Sequence, residues 1–456
     1  MRRPALRHRL GAPALAVCCL FGAAAPLKAQ SLYELYEIAR GYDATFLAAR
    51  AQNESATYRR AQADALRRPT VSLQLGAART GTDPENNPNL PNLPDRGFGN
   101  VYEGTLTATQ PLFNRANSVT IDQADKALEV SRADLSLAEQ DLIVRLSQAY
   151  FDVLVAIETL KTVQAAKVAF AEQLASAKRN FEVGTATITD AREAQSRFDL
   201  ARAREIQADN DLQSKRIALE QLVGRSEVQP RPLVIPVALS ATVPGTADDW
   251  VRLAEQSHPT IQRAQLALDV AKLEIDKAKA GHLPTVQLLG QLQQRQNDGV
   301  VGLGTSLGAV PGTYLNGLIG VQLNLPLYAG SSVQNRIKEV TVLEDKARYD
   351  LDAARRAVVQ ATRQAYIGFR SSEAEVIALE AAEASSKLAL EATEVGFRVG
   401  VRVNIDVLNA QSQLFQTQRD LMAARYAVLT NALRLRLASG TLSANDVQLI
   451  NRLLQP

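Results

Sequence analysis

The apolar positions of this chain switch between two periods. Val71, Leu73 and Leu75 alternate with Ser72 and Gln74, the period-two mark of a strand with unlike faces. The alternation returns with Tyr102, Gly104, Leu106 and Ala108 on one face and Glu103, Thr105, Thr107 and Thr109 on the other. A third strand sets Val286, Leu288, Gly290 and Leu292 against Gln287, Leu289, Gln291 and Gln293. A fourth sets Leu315, Gly317, Ile319, Val321, Leu323 and Leu325 against Asn316, Leu318, Gly320, Gln322 and Asn324. Elsewhere the pattern is helical. Residues 31–66 are Ala-rich and end before Pro69, and residues 116–182 contain neither Gly nor Pro. A helix over that second span is about 100 Å long at about 1.5 Å per residue, and needs neighbours to be stable. Ile121, Leu128, Leu135, Leu142 and Ala149 repeat every seven residues, as do Val130, Leu137, Val144 and Phe151 nearly opposite. Two opposed seams predict contact on both flanks, like a stave in a cylinder.

The pattern is written twice. Pro69-Thr70-Val71 corresponds to Pro284-Thr285-Val286, and Pro111-Leu112-Phe113 to Pro326-Leu327-Tyr328, both 215 residues on. After a one-residue slip, Gln148-Ala149-Tyr150 corresponds to Gln364-Ala365-Tyr366 at 216. Phe181, Val183 and Gly184 then match Phe397, Val399 and Gly400, and Gly224 matches Gly440. Two near-constant offsets across the chain indicate a duplication. The predicted organisation is a leader over 1–29, a first repeat over 30–224, a Pro-rich linker over 225–245, a second repeat over 246–440 and a tail over 441–456. Each repeat reads helix, strand, loop, strand, long helix, turn, helix. Pro111 and Pro326 are expected to end their strands, because proline withholds a ladder donor. The second repeat keeps the first apolar row in part (Ile337, Glu344, Leu351, Val358, Ala365) and largely loses the second.

Strands of about ten residues with one apolar and one Thr/Gln/Asn face have the size of outer-membrane barrel strands. One face of an ordinary soluble sheet reads the same way. Four strands cannot close a barrel, since closed barrels begin at about eight. The membrane reading therefore requires an oligomer.

Composition narrows the choice. The chain is 46% hydrophobic but only 5% aromatic, which suits long helices packed through Ala, Leu and Val. Arg2, Arg3, Arg7 and Arg9 precede an apolar run over 10–25, and a small-residue exit at Ala29 follows, as in a secretory signal. Leu15-Ala16-Val17-Cys18 resembles a lipoprotein signal, with Val a poor fit before the Cys. Residues 1–29 hold five basic and no acidic residues, so of 51 basic and 48 acidic residues 46 and 48 remain, near −2. The case for a nucleic-acid partner goes with that leader. Both cysteines, Cys18 and Cys19, lie in it, leaving His258 and His282 as the only histidines beyond it. No thiolate or histidine metal cluster, and no His-based catalytic set, can be assembled from these. The sequence predicts no enzyme, no cofactor and no metal.

Several short segments, taken in order, resemble the TolC family. They are Gly281-His282-Leu283-Pro284-Thr285, the Phe-x-Val-Gly turns at 181–184 and 397–400, and Ile188-Thr189-Asp190. Val403-Asn404-Ile405-Asp406-Val407-Leu408 and Gly440-Thr441-Leu442 complete the set. The resemblance implies a mixed α/β membrane protein, a homotrimer whose twelve-stranded outer-membrane β-barrel, four strands per chain, continues into a long α-helical barrel across the periplasm. It implies a passive duct in the outer membrane, driven by an inner-membrane efflux pump or ABC exporter through a periplasmic adaptor protein. Drug efflux and type I protein secretion are the functions it implies.

The two helix–turn–helix tips carry the candidate site. Gly184 and Gly400 stop their helices as a residue with φ > 0 does, a local role that needs no function. In the family these tips face the adaptor, which implies contacts at Val183, Gly184, Thr185, Val399, Gly400 and Val401. Asp190, with Glu193, reads as a variant capping box and equally as a pore acid; Asp406 opens the second return helix. The family's closed entrance has two acidic rings and links among a Tyr, an Arg, a Thr and an Asp. Asp406 matches the first ring, while Asn409 stands in the second. Arg402 and Thr189 remain as an expected pair, but Phe397 replaces the Tyr and cannot donate to Asp190. The resemblance therefore implies an entrance held shut less firmly, or one that binds cations less well. A secreted periplasmic helical-hairpin adaptor or scaffold without a pore is the alternative.

Overall fold

The computed structural model describes residues 29–82, 97–233, 245–298 and 312–454. The expected signal, about half of the linker and the loop that the pattern places between the two strands of each repeat (81–97 and 297–312) lie largely outside these residues. In chain order the elements are α1 (Leu32–Tyr42), α2 (Ala44–Asp64), β1 (Thr70–Thr82), β2 (Gly97–Phe113), α3 (Arg115–Glu182) and α4 (Ile188–Val223). The second repeat follows as α5 (Ala247–Ser257), α6 (Pro259–Lys279), β3 (Thr285–Asn297), β4 (Gly312–Asn324), α7 (Ser332–Arg398) and α8 (Asn404–Ala438), and the tail carries α9 (Ala444–Asn451).

The four strands form one antiparallel sheet in the order β1-β2-β3-β4. Register fixes what alternation only suggested, because a one-residue slip would turn a strand's apolar side over. Leu73 faces Leu106, Leu106 faces Leu292, and Leu292 faces Gly317. Val71, Ala108, Gly290 and Ile319 form the next row. All four apolar faces therefore lie on one side. The other side sets Gln74, Thr105, Gln293 and Asn316 in a row, with Gln293 donating to the Glu103 carboxylate at 2.6 Å. Both sides are largely exposed in the single chain. The expectation at Pro111 is corrected: β2 runs on to Phe113, absorbing the proline in a register shift between Pro111 and Phe113. A shift there leaves the missing N–H without a ladder partner to disappoint. β4 stops at Asn324, before Pro326.

Among the described residues no helix is long and apolar enough to cross a membrane. The 68 residues of α3, opened by the Asn114 side chain accepting from the Asn117 N–H, form instead a rod of about 100 Å. Its first half packs on α2 and α6 and its second on α4 and α8, so both apolar rows find partners. Phe151 lies between Tyr150, edge-on at 5.8 Å, and Tyr426 of α8 at 6.0 Å. Around this point Leu35 and Tyr36 of α1, Leu219 of α4 and Val447 of α9 bury the thickest core of the molecule. Arg145 grips the buried Asp43 carboxylate with two bonds at 3.0 and 3.1 Å, fixing the α1–α2 corner to α3. Tyr150 accepts from the Arg231 N–H at 2.8 Å, tying the stretch after α4 to the same level. Towards the tips the core thins to Ala166, Ala177, Ala194 and Ala201, small residues that let α3, α4 and α8 approach closely, with Phe170, Leu174 and Leu408 filling between them. α7 differs from α3: it packs on α6, α8 and α5 through a stripe holding Val340, Glu344, Leu351, Val358, Phe369 and Ser372, and most of its remaining surface is exposed.

Candidate functional site at the helical tips

The two hairpins turn by the same geometry. In the first, Thr185 and Ala186 both donate their N–H groups to the Asn180 carbonyl, at 2.8 and 3.1 Å, while Gly184 takes φ 79°. In the second, Val401 and Arg402 donate to the Gly396 carbonyl at 2.9 and 3.1 Å, and Gly400 takes φ 80°. The left-handed conformation at both glycines is what reverses the chain after α3 and α7. Each turn then presents apolar side chains to solvent: Val183 is 73% exposed, Val399 68% and Val401 76%. Surface valines at a helix end contribute nothing to a core, so these are free for contact.

The acids behind the turns differ from the expected pairing. The capping box is Thr187 with Asp190, not Asp190 with Glu193. The Asp190 Oδ2 accepts from the Thr187 N–H at 2.9 Å and hydroxyl at 2.7 Å, and the Asp190 N–H donates back to the Thr187 hydroxyl. Asp406 stands at the same place in α8, where the residue matching Thr187 is Val403. It accepts only the Val403 N–H, at 3.4 Å, and its carboxylate lies 3.7 Å from the Arg402 guanidinium. Half-relieved of capping, Asp406 pairs with an arginine of the turn that precedes its helix. Among the described residues Arg402 makes no bond to Thr189, and Phe397 makes none to Asp190. The Arg402 side chain folds instead over Gly396, where an added Cβ would come within 2.8 Å of its Cγ.

Other residues join the two hairpins. The Gln173 side chain of α3 donates to the Asn404 side-chain oxygen, and the Asn404 amide reaches the Asp190 carbonyl at 3.5 Å. Asn404, the first residue of α8, is buried. Further in, Arg197 of α4 donates to Asn409 of α8 at 2.7 Å. Asn409 thus answers a guanidinium across the seam rather than standing free. Between the tips lies a cleft of about 430 Å³ lined by Gln173, Asn180, Asp190, Phe397, Arg402 and Asn404, so three of the expected gate residues share one recess. Thr189 is outside this lining and exposed. Gln173, Asn404 and Arg197 carry no periodic or motif signal as linking residues. Gly396 could have been noticed as the rare glycine inside the last turn of a long helix.

Comparison with known proteins places this architecture. The family model for outer membrane efflux protein matches residues 35–225 and again 250–441, one match per repeat. The chain is 32% identical to the outer membrane protein TolC of Vibrio cholerae over 423 residues, covering 93% of each. It is 28% identical to the alkaline protease secretion protein AprF of Pseudomonas aeruginosa over 438 residues, covering 94% of this chain and 90% of that one. Among solved structures, the outer membrane protein VceC of Vibrio cholerae superposes with a TM-score of 0.73 at 19% identity, over 90% of this chain and 96% of that chain. Both repeats, the register of the sheet and the long hairpins being accounted for together, the chain belongs to the outer membrane efflux protein family.

Proposed function

We propose that this chain is the outer-membrane exit duct of a tripartite efflux or type I secretion assembly, with no catalytic activity of its own. Three copies close a twelve-stranded barrel in the outer membrane, and their helices continue it as a tunnel through the periplasm. The observation that carries this reading is the sheet. Four strands hold their apolar side chains on one face and Thr, Gln and Asn on the other, in register, with β1 and β4 as the edge strands of the sheet among the described residues. Lipid outside and water inside require that division, and unpaired edges inside a bilayer require closure.

The tips are the working end. Val183, Gly184 and Thr185, with Val399, Gly400 and Val401, form the surface for a periplasmic adaptor, through which an inner-membrane pump or ABC exporter drives export. Asp190, Thr189, Phe397, Arg402, Asp406 and Asn409 line the entrance. Repeated around an axis, Asp406 concentrates negative charge there and attracts cations. Similarity to both TolC and a protease secretion protein supports drugs and secreted proteins alike as cargo classes.

The test is single-channel conductance of detergent-extracted protein in a planar bilayer. Steady cation-favouring pores that widen on replacing Arg402 and Asp406 are expected. Protein that stays soluble without detergent and never conducts would refute the duct and leave a periplasmic scaffold. Val183→Asp with Val399→Asp should abolish export in cells while leaving conductance unchanged.

A further inference from the structure

Two arginines meet without a carboxylate where the return helices of the two hairpins flank α3. Arg204 of α4 and Arg419 of α8 line one small recess there, whose apolar walls include Val163, Ala166, Phe170 and Phe415. At about 1.5 Å per residue from the starts of α4 and α8, it lies roughly 22–24 Å above the tips. Among the described residues neither arginine has a carboxylate within ion-pair distance, and the Arg419 guanidinium donates to the Gln416 side-chain oxygen. The acids nearby are taken. Both Glu205 oxygens hold Lys167, at 2.6 and 2.7 Å, and Asp420 accepts from the Gln416 amide at 2.7 Å. Arg204 is exposed and Arg419 half-buried. Burial, then the charge of Arg204 beside it, lowers the Arg419 pKa from its ordinary value, against an opposing pull from Asp420.

We propose that this recess is a binding site for a monatomic anion, chloride, which bridges Arg204 and Arg419 and so ties α4 to α8. Size selects the ligand. The recess has room for about 20 Å³, which takes one particle of water size and leaves a carboxylate or phosphate group outside. Charge selects it again. A water there would leave two positive groups facing each other, whereas an anion turns their repulsion into two attractions. Phe170 and Phe415, T-shaped at 6.2 Å, present apolar surface to the recess, and a low local dielectric strengthens each of those attractions.

The duplication shows that helix packing alone does not require this pair. At the offset of 216 the counterpart of Arg204 is Asp420, and that of Arg419 is Ala203. The counterparts of Phe170 and Phe415 are Ser386 and Asp199. Neither the doubled arginine nor its aromatic wall recurs, so each chain carries one such site, in the seam between its own repeats. The site stands on the folded chain and does not depend on the duct. With the anion bound, the two hairpins are joined well above their tips. Without it, the guanidinium groups push α4 and α8 apart.

Melting of the full-length, detergent-extracted protein tests the site in sodium chloride, sodium bromide and sodium gluconate at matched ionic strength. Gluconate is too large for the recess. Wild type should melt higher in chloride and bromide than in gluconate, along a titration that saturates. Arg204→Gln and Arg419→Gln each remove one of two charge-assisted contacts, so half-saturation should move to roughly tenfold more chloride. In gluconate each variant should melt at or above wild type, because it removes a repulsion that nothing offsets. Arg202→Gln, an exposed arginine of α4 outside the recess, should keep the wild-type salt response. Bromide in crystals should give an anomalous peak between the two guanidinium groups. Equal melting of wild type in all three salts would overturn the site, as would an unchanged chloride titration in Arg204→Gln. Variants that melt below wild type in gluconate would mark the arginines as packing residues and overturn it too. An anomalous peak without salt-dependent melting would mean an adventitious ion only. Protein that never conducts yet keeps the chloride response would drop the duct and leave the site standing.

Discussion

Replacing Asn404 by Leu would separate a tip that is held from one that is merely close. Asn404 is buried at the start of α8 and bonds to both helices of the first hairpin, Gln173 on α3 and the Asp190 carbonyl on α4. The Asp190 bond is long at 3.5 Å and contributes little. The Gln173 bond counts for more, because leucine would leave that half-buried amide without a partner at a cost of about 1–3 kcal/mol. If the bond exists only while the tips are together, the cost is paid by the closed state alone. The closed-to-open ratio should then fall roughly 5- to 150-fold per protomer. Single-channel recording measures this as time spent in the wider level. The mid-height core around Tyr150 and Phe151 is remote from the change, so the melting midpoint should move little. Asn404→Asp retains an acceptor for Gln173 and adds a carboxylate at a helix N-terminus, where it is favoured. It should stay near wild type. The argument is refuted if Asn404→Leu gates as wild type does, or if Asn404→Asp opens the channel as far as the leucine variant.

Three further outcomes are expected. Asn409→Asp converts the Arg197 bond into an exposed ion pair of about 0.2–1 kcal/mol and adds a carboxylate to the entrance. Block by divalent cations should strengthen, and unchanged conductance and block would count against Asn409 as an entrance residue. Gly440→Ala should lower the melting temperature, since φ is 71° and the new Cβ would lie 2.5 Å from the His258 Cα. The left-handed conformation alone costs about 1–2 kcal/mol, and a clash with backbone adds to it. His258 has its pKa lowered from 6.5 by burial, and its Nδ1 accepts from the Thr260 N–H as the N-cap of α6. The unfolded chain therefore takes up a proton first as pH falls. Stability present above the ordinary value of 6.5 is lost below it, down through the depressed folded value. Melting scans at pH 5 and 8 should differ less for His258→Asn, which keeps a capping acceptor without a titrating ring.

Fold and site differed in legibility for a physical reason. Strand faces and long helices are written in periodicity, and a register that joins Leu73, Leu106 and Leu292 is the arrangement those periods permit. The duplication was readable because Pro69 and Pro284, or Gly184 and Gly400, hold backbone positions that few residues can. The tip bonds were not. Gln173 meets Asn404, and Arg197 meets Asn409, through spacings of more than two hundred residues with no period between them. Within the single chain Arg402 makes no bond to Thr189, because a local competitor is nearer: Asp406 lies four residues on, and Gly396 leaves room for Arg402 to stay with it. The Asp190 box failed in the same way, since Thr187 supplies a better cap three residues earlier than Glu193 could answer.

The loss of the second apolar row in α7 has its own explanation. The second row itself, Val130, Leu137, Val144 and Phe151, becomes Lys346, Ala353, Gln360 and Ile367 at the offset of 216. Beside it in α3, Gln140, Ser147 and Leu154, spaced seven apart, are buried. At the offset of 216 their counterparts are Arg356, Arg363 and Arg370, all exposed and answered by Asp352, Asp248 and Glu373 at 2.9 to 3.9 Å. α3 is covered by its own chain as soon as that chain folds. α7 is left bare by its own chain, and in the proposed oligomer a second copy covers it, so an apolar row there would stand open to water and to wrong partners until assembly. Arginines keep that face soluble in the meantime, while Ile367 and Tyr349 remain as isolated anchors beside them. Exposed ion pairs are weak, about 0.2–1 kcal/mol each, so their rearrangement on docking costs little. The two repeats thus diverge where one seam lies within the chain and the other, in the proposed oligomer, lies between chains, and that is where the sequence symmetry is expected to break.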